Sequence, residues 1–269
     1  MTYLRIGPVP VLLAVALLTV FLLNRARGAD QPPCLLASQH EGLTFPVGRI
    51  NTGWSCRLQQ IIEDYTTVGR VGPVRTQLSE VMYADLLNHP ATIAAMVNRL
   101  GIGPYRAEMR GPDEFWVNDG DGMEGIVHLL YQDRRVRIYY LEGFHDSAVF
   151  PRVHAKAVVL VAVETVKEPQ AIPSVDTMLV TYTRLENRFL AGLVSAIRPL
   201  VGNAVTRKLL RGFDAANRLA NVMVEHPDWV LREAVAPPAL GTEELAFLKQ
   251  MIAGLPHVSI SQRPGTPTP

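Results

Sequence analysis

The hydrophobic period of this chain changes at Tyr105, and that change limits the folds open to it. Residues Ala107 to Met109, Glu114 to Val117, Met123 to Gln132, Arg135 to Phe144, Val153 to Val166 and Val175 to Leu185 are rich in Val, Ile, Tyr and Phe, with turn residues between them. Parallel neighbours need crossovers of about a dozen residues or more, so strands joined by such short links predict an antiparallel meander. Asn118-Asp119-Gly120-Asp121-Gly122 and Gln132-Asp133-Arg134 have hairpin chemistry.

Helical spacing brackets this block. Ser55 followed by Leu58, Ile61 and Ile62 predicts a short helix that ends near Tyr65. Gly69, Gly72 and Pro73 break the pattern. Pro73 suits the first turn of a second helix, Val74 to Asn88, with Leu78, Val81, Met82 and Leu86 on one stripe. The segment Thr66 to Gly72 is short and Gly-rich and gives no secure strand signal. Pro90 to Leu100 predicts a third helix, stopped by Gly101. Beyond the last strand, Asn187 caps a long apolar helix running to about Val224 with a kink at Pro199. Its stripe is Val201, Val205, Leu209, Phe213, Ala216, Leu219 and Met223, with Arg207, Lys208, Arg211, Asp214 and Arg218 mostly off it. Such a stripe needs an apolar surface, and the sheet is the only large one. Thr242 caps a final helix through Ala253. The fold class expected is therefore α+β.

A hydrophobic content of 48% with 19% charged residues suits a packed core. Residues 1–28 read as a signal peptide or membrane anchor, 29–54 as a linker or surface arm, 55–256 as the α+β domain with flanking helices, and 257–269 as a disordered tail. The apolar block Val9 to Leu23 is 15 residues long, nearer a secretory h-region than a spanning helix of about 20. Ala26 and Gly28 fit a cleavage site, whereas Arg25 and Arg27 after the block oppose an N-in anchor. A cleaved signal, an uncleaved anchor and an N-out topology all stay open. The expected location is exported, periplasmic or extracellular, or anchored by this segment. Without Arg5, Arg25 and Arg27 the 26 basic residues become 23 against 25 acidic, a formal charge of −2, which argues against nucleic acid as a partner. Cys34 and Cys56 are the only cysteines; paired, they would close a loop of about 23 residues and contribute about 3 kcal/mol, and two unpaired thiols are the alternative.

Helices, then a run of antiparallel strands, then one long helix is an order that resembles the START-like, or SRPBCC, superfamily. The resemblance covers about Val74 to Val224. It is carried by Pro90–Gly103 leading into Tyr105-Arg106-Ala107-Glu108, by EGIVHLLYQ and RVRIYYLEG, and by the long helix. The segments are similar to exported members of the polyketide cyclase and lipid-transport branch. The resemblance implies a helix-grip fold, an antiparallel sheet wrapped around a long C-terminal helix with an apolar cavity between them, here with extra N- and C-terminal helices. Family members open with a strand before the first helix, and no such strand is evident here.

Motifs for other chemistries fail on context. Gly120-Asp121-Gly122-Met123-Glu124-Gly125 satisfies G-x-G-x-x-G, but strand sequence follows it where a dinucleotide site needs a helix. The same turn lacks the ligand spacing of a calcium loop. The seven histidines form no H-E-x-x-H, no Cys/His cluster has zinc spacing, and no G-x-S-x-G elbow is present. Neither a cofactor nor a metal is expected.

Alternation along the strands places Val136, Ile138, Tyr140, Glu142 and Phe144 on one face, and Glu124, Ile126, His128 and Leu130 on another. If both faces look into a cavity, Ile126, Leu130, Val136, Ile138, Tyr140 and Phe144 form its sheet wall, and Val205, Leu209 and Phe213 its helix wall. His128, Tyr140 and Glu142 would then be its polar fixtures. Phe189 to Val201 is apolar on nearly every side, and Leu193 within it becomes a candidate gate or membrane-contact residue. Three functions fit this picture. One is binding or transport of a hydrophobic small molecule, a lipid or isoprenoid, without catalysis. A second is a polyketide cyclase or aromatase using His128, Tyr140 and Glu142 as acid–base groups. The third is an interaction protein whose interior is packed solid.

Overall fold

The computed structural model describes residues 34–146, 152–166, 173–186 and 198–255. Two units separate after Leu35, and every element below belongs to the unit that starts at Leu36. Residues 1–33 and 256–269 lie outside the described residues, so the expected leader and tail are not addressed. Among the described residues no helix is long and apolar enough to cross a membrane.

Seven strands make one antiparallel sheet: β3 (Thr67–Thr76), β4 (Arg106–Met109), β5 (Glu114–Asn118), β6 (Met123–Gln132), β7 (Val136–His145), β8 (Val153–Val166) and β9 (Ser174–Leu185). They lie in the order β3-β9-β8-β7-β6-β5-β4. A two-residue hairpin, β1 (Gln39–His40) and β2 (Leu43–Thr44), precedes them. The helices are α1 (Thr52–Glu63), α2 (Glu80–Leu87), α3 (Pro90–Arg99), α4 (Arg198–Glu225), α5 (Pro227–Val235) and α6 (Thr242–Ala253). The chain leaves the sheet at β3, makes α2 and α3, and re-enters at the opposite edge with β4. The meander then returns to β9 beside β3. With α4 lying against β3 and β9, this is a helix-grip fold.

The segment 67–76 corrects the sequence reading. Residues Val74 to Thr76 continue a strand, paired through Val74↔Thr177 and Thr76↔Val175, and the helix begins only at Glu80. Gly72 and Pro73 fall at the register irregularity between Val71 and Val74, a bulge in an edge strand where proline costs no ladder bond. Gly72 has φ +106°, and a Cβ there would meet the main chain of Thr177. Ser79 caps α2, its hydroxyl accepting from the Met82 N–H at 3.3 Å. At Gly69 the missing side chain lets α4 approach β3, because a Cβ would collide with Thr206. The strand that a helix-grip protein needs before its first crossover is thus present.

Both faces of the sheet are covered. On the inner face Val159, Val161, Val163 and Leu179 pack with Ala215, Leu219, Ala220 and Met223 of α4 and with apolar residues of α2, α3, α5 and α6. On the outer face Ile138, Tyr140, Val158, Leu160, Val180 and Tyr182 pack with Leu58 and Ile61 of α1 and with Phe45, Val47 and Ile50. The last three belong to the segment expected to be a linker or arm. Phe45 is 1% exposed, so from Leu36 onward this segment is part of a core. Asn51 caps α1 through its side-chain oxygen on the Trp54 N–H. Helix α5, absent from the sequence reading, starts at Pro227 directly after α4 and buries Val230 and Ala234.

Polar contacts hold α4 on the sheet. Thr206 is hydrogen-bonded to Thr67 at 2.8 Å and to Thr183 at 3.2 Å, and all three are buried. Farther along, the Asn217 side-chain oxygen accepts from the Thr76 hydroxyl and the Tyr83 hydroxyl, each at 2.9 Å. These fixtures lie toward the β3–β9 edge. On the β4–β7 side a cavity separates the helix from the strands.

Candidate ligand cavity

Between α4 and the β4–β7 side of the inner face lies a cavity of about 300 Å³. Its walls are mostly aliphatic and aromatic. Leu209, Gly212, Phe213, Ala215 and Ala216 come from α4, Ile93, Ala94 and Val97 from α3, and Phe115, Val117, Val127, Tyr139, Leu141, Val159 and Val161 from the sheet. Small residues on α4 leave the room: a Cβ added at Gly212 meets only Tyr105, at 3.8 Å. Part of the opposite wall is bare main chain, because Gly125 and Gly143 face one another across β6 and β7. A Cβ on Gly125 would stand 2.6 Å from the Glu142 carbonyl oxygen, and one on Gly143 would strike that of Glu124. Only glycine permits the strands to approach this closely there.

Of the charged residues in the wall, which include Arg106, Glu124 and Lys156, Lys208 and Asp119 form a buried ion pair. Lys208 of α4, its side chain 7% exposed, donates to Asp119 Oδ2 at 2.9 Å, to Asp121 Oδ2 at 2.8 Å and to the Asp121 carbonyl. Asp119 is equally hidden, at 9%, and its other oxygen accepts from the Asp121 and Met123 N–H groups, both at 2.8 Å. Hydrogen bonding to Lys208, then its charge, holds the Asp121 carboxyl below its ordinary value. The cluster ties α4 to the β5–β6 turn and closes that end of the cavity. Burial pushes the phenols of Tyr105 and Tyr139 up, so both stay neutral beside the cavity.

The expected site residues separate into three sets. Ile126, Phe144, Leu209 and Phe213 border the cavity. Leu193 lies outside the described residues, as does the Val205 side chain. His128, Leu130, Val136, Ile138 and Tyr140 belong to the outer layer, which corrects the sequence reading. The register pairs His128 with Tyr140 and Leu129 with Tyr139, and it is Tyr139 that packs inward. Ile138, Tyr140, Leu130 and Val136 pack with the α1 layer. By strict alternation the side chains of Ile126 and Phe144 point outward too, and these residues border the cavity next to Gly125 and Gly143, whose inner side is bare.

The three acid–base candidates do converge, but on the outer side. The Tyr140 hydroxyl donates to Glu142 Oε2 at 2.8 Å, and His128 Nδ1 lies 3.3 Å from Glu114 Oε2. The Trp54 ring stands 5.2 Å from that of His128 and 5.1 Å from that of Tyr140, with the Arg57 guanidinium over it at 4.8 Å. Burial first, then the hydrogen bond to Glu142, pushes the Tyr140 phenol up. This group braces α1 against the sheet. Although Glu142 borders the cavity through its strand, its carboxylate is engaged by Tyr140, so the three do not serve the cavity as acid and base.

Both cysteines, Cys34 and Cys56, are disulfide-bonded. No group of three or more His, Cys, Asp or Glu among the described residues could hold a metal ion. Sequence reasoning missed Lys208 and Asp119. The signal available was a lysine directly beside a stripe residue, Leu209, on a helix with an apolar partner surface.

No family model matches the chain, and no curated protein matches it. Among solved structures it is similar to a conserved protein from Geobacillus kaustophilus, at 10% identity and TM-score 0.42, covering 58% of this chain and 97% of that one. It is also similar to the protein XoxI from Bacillus cereus, at 15% identity and TM-score 0.37, covering 60% and 99%. A third is Ara h 8.0201, at 12% identity and TM-score 0.32, covering 57% and 98%. The helix-grip assignment stands on the strand order and on the helix laid across it.

Proposed function

We propose that the protein binds a hydrophobic small molecule, a lipid or isoprenoid, in the cavity between α4 and the sheet, and that it does so outside the cytoplasm or at a membrane face. One observation carries this reading: the interior of the helix-grip fold is not filled. A cavity of about 300 Å³ falls at the lower end of the roughly 300–1,000 Å³ of small-molecule sites, and like them it is apolar with few polar groups. Affinity would come from burial of apolar surface at about 25 cal/mol per Å². The location is supported by the apolar block Val9 to Leu23 and by the disulfide state of both cysteines, which suits an oxidising compartment. Within the START-like superfamily, the lipid-transport branch fits a cavity whose walls are mostly apolar.

Gly212→Leu tests the reading. The new side chain enters open space and glycine is a poor helix former, so stability is expected to hold or rise by up to about 1 kcal/mol. Binding of the neutral dye Nile red, followed by fluorescence, should fall at least tenfold, and co-purified lipid seen by native mass spectrometry should disappear. Undiminished dye binding by the folded variant would place the ligand elsewhere and remove the proposal.

A further inference from the structure

A second, smaller cavity of about 120 Å³ adjoins the first, and Leu87, Pro90, Phe115 and Tyr139 belong to the walls of both. Its remaining lining is more polar, with Asn88 and Gln132 among it and Asp113 exposed at its rim.

Beside it lies a cation without a counter-charge. Arg137 of β7 is 3% exposed. Its Nη2 donates to the Ala84 carbonyl at 2.6 Å and to the Asn88 side-chain oxygen at 2.9 Å, and the neutral Tyr139 phenol interacts with the guanidinium, whereas Nη1 is buried with no hydrogen-bond partner of its own. No carboxylate among the described residues forms an ion pair with it. The carbonyl end of α2 offsets part of the charge, since a helix terminus presents about half an elementary charge. A buried guanidinium with only neutral acceptors is still an expensive group, and buried cations are ordinarily paired. Three neighbours of Arg137 open onto the smaller cavity: Asn88 by hydrogen bond, Gln132 as its cross-strand partner, and Tyr139 two residues along the same face of β7.

We propose that the ligand is an elongated apolar acid, its chain in the larger cavity and its carboxylate in the smaller one against Arg137 and Asn88. This rests on the reading of the larger cavity as a ligand site and names the chemistry of its occupant. The carboxylate supplies the missing counter-charge and the acceptor for Nη1, and charge-assisted bonds of this kind are about twice as strong as neutral ones. Because the two cavities share Tyr139 and Phe115 as wall residues, a ligand that occupies both passes these side chains as a narrow chain and not as a fused ring system.

The test compares cis-parinaric acid with its methyl ester, each titrated into the purified protein by fluorescence. The acid is expected to bind about tenfold more tightly, the lower end of what a charged hydrogen bond contributes. Gln132→Glu then places a carboxylate across from Arg137 without disturbing the core, since Gln132 is exposed. That variant should lose the preference for the acid and melt at a higher temperature because Arg137 has gained a partner. Equal binding of acid and ester by the unaltered protein overturns the inference while leaving the cavity a hydrophobic site. A preference for the acid that survives Gln132→Glu also overturns it, by placing the carboxylate elsewhere. If neither probe binds, the reading of the larger cavity falls with it.

Discussion

Lys208 shows how a single residue can be poorly placed by pattern and central in space. On the helix it follows Arg207 and precedes Leu209, and by charge it reads as solvated. In the fold its ammonium is buried and fully used by Asp119, Asp121 and a carbonyl, so the β5–β6 turn cannot leave α4 without stranding a charge. Removing one partner of such a pair is costly because the other stays buried. Lys208→Met is therefore expected to lose about 3 kcal/mol in a urea melt at unchanged m-value. Adding Asp119→Asn should recover part of that loss, a coupling that a double-mutant cycle reads directly. If the two single effects merely add, the pair does not hold the turn.

At the scale of elements, most of the architecture was legible because period and punctuation are local. The six runs after Tyr105 became strands with bounds shifted by at most a residue, and α3 and α6 fall where their stripes put them, although Gly241 and not Thr242 is the cap of α6. The failures share a cause: partners that a local pattern does not show. Val74 to Thr76 alternate weakly and become a strand only because β9 lies alongside. The choice of face on β7 was lost because Val136, Ile138 and Tyr140 on one side, and Tyr139 and Leu141 on the other, are all apolar. A sheet covered on both faces erases the alternation that reveals register. Of the candidate site, the α4 wall was readable from its stripe, and the sheet wall was not. The outer cover was missed as well, since the segment before α1 has a linker's composition. It docks through Phe45, Val47, Ile50 and His40, the last 3% exposed between the rings of Phe45 and Tyr182 with Nε2 unpartnered. Burial lowers the His40 pKa, opposed by a main-chain hydrogen bond at Ala37. A folded pKa below the unfolded value of 6.5 means the unfolded chain binds more protons in acid. The stability His40 confers is thus complete above about pH 6.5 and declines as pH falls below it. Urea midpoints measured from pH 7.5 to 5 should fall more steeply for the unaltered protein than for His40→Phe; parallel curves would show that His40 titrates alike in the folded and unfolded chains.

At the scale of the whole molecule, the two sides of the sheet divide the labour. The outer layer is packed and braced by Trp54, Tyr140 and Glu142, and this lets the inner layer tolerate an empty volume that would otherwise cost stability. An unfilled apolar cavity is a standing destabilisation, and an occupant that binds only the folded state relieves it by mass action. At a ligand concentration of 100 times Kd the gain is about 2.7 kcal/mol. For a domain of this length each kcal/mol moves the melting temperature by about 2–4 °C, so saturation should raise Tm by roughly 5–10 °C. The same ligand should leave the Tm of Gly212→Leu unmoved, because that side chain already occupies the space. A rise of equal size in both proteins, followed by differential scanning fluorimetry, would mean that the stabilising contact lies outside the cavity, and the division between a braced face and a receiving face would fail.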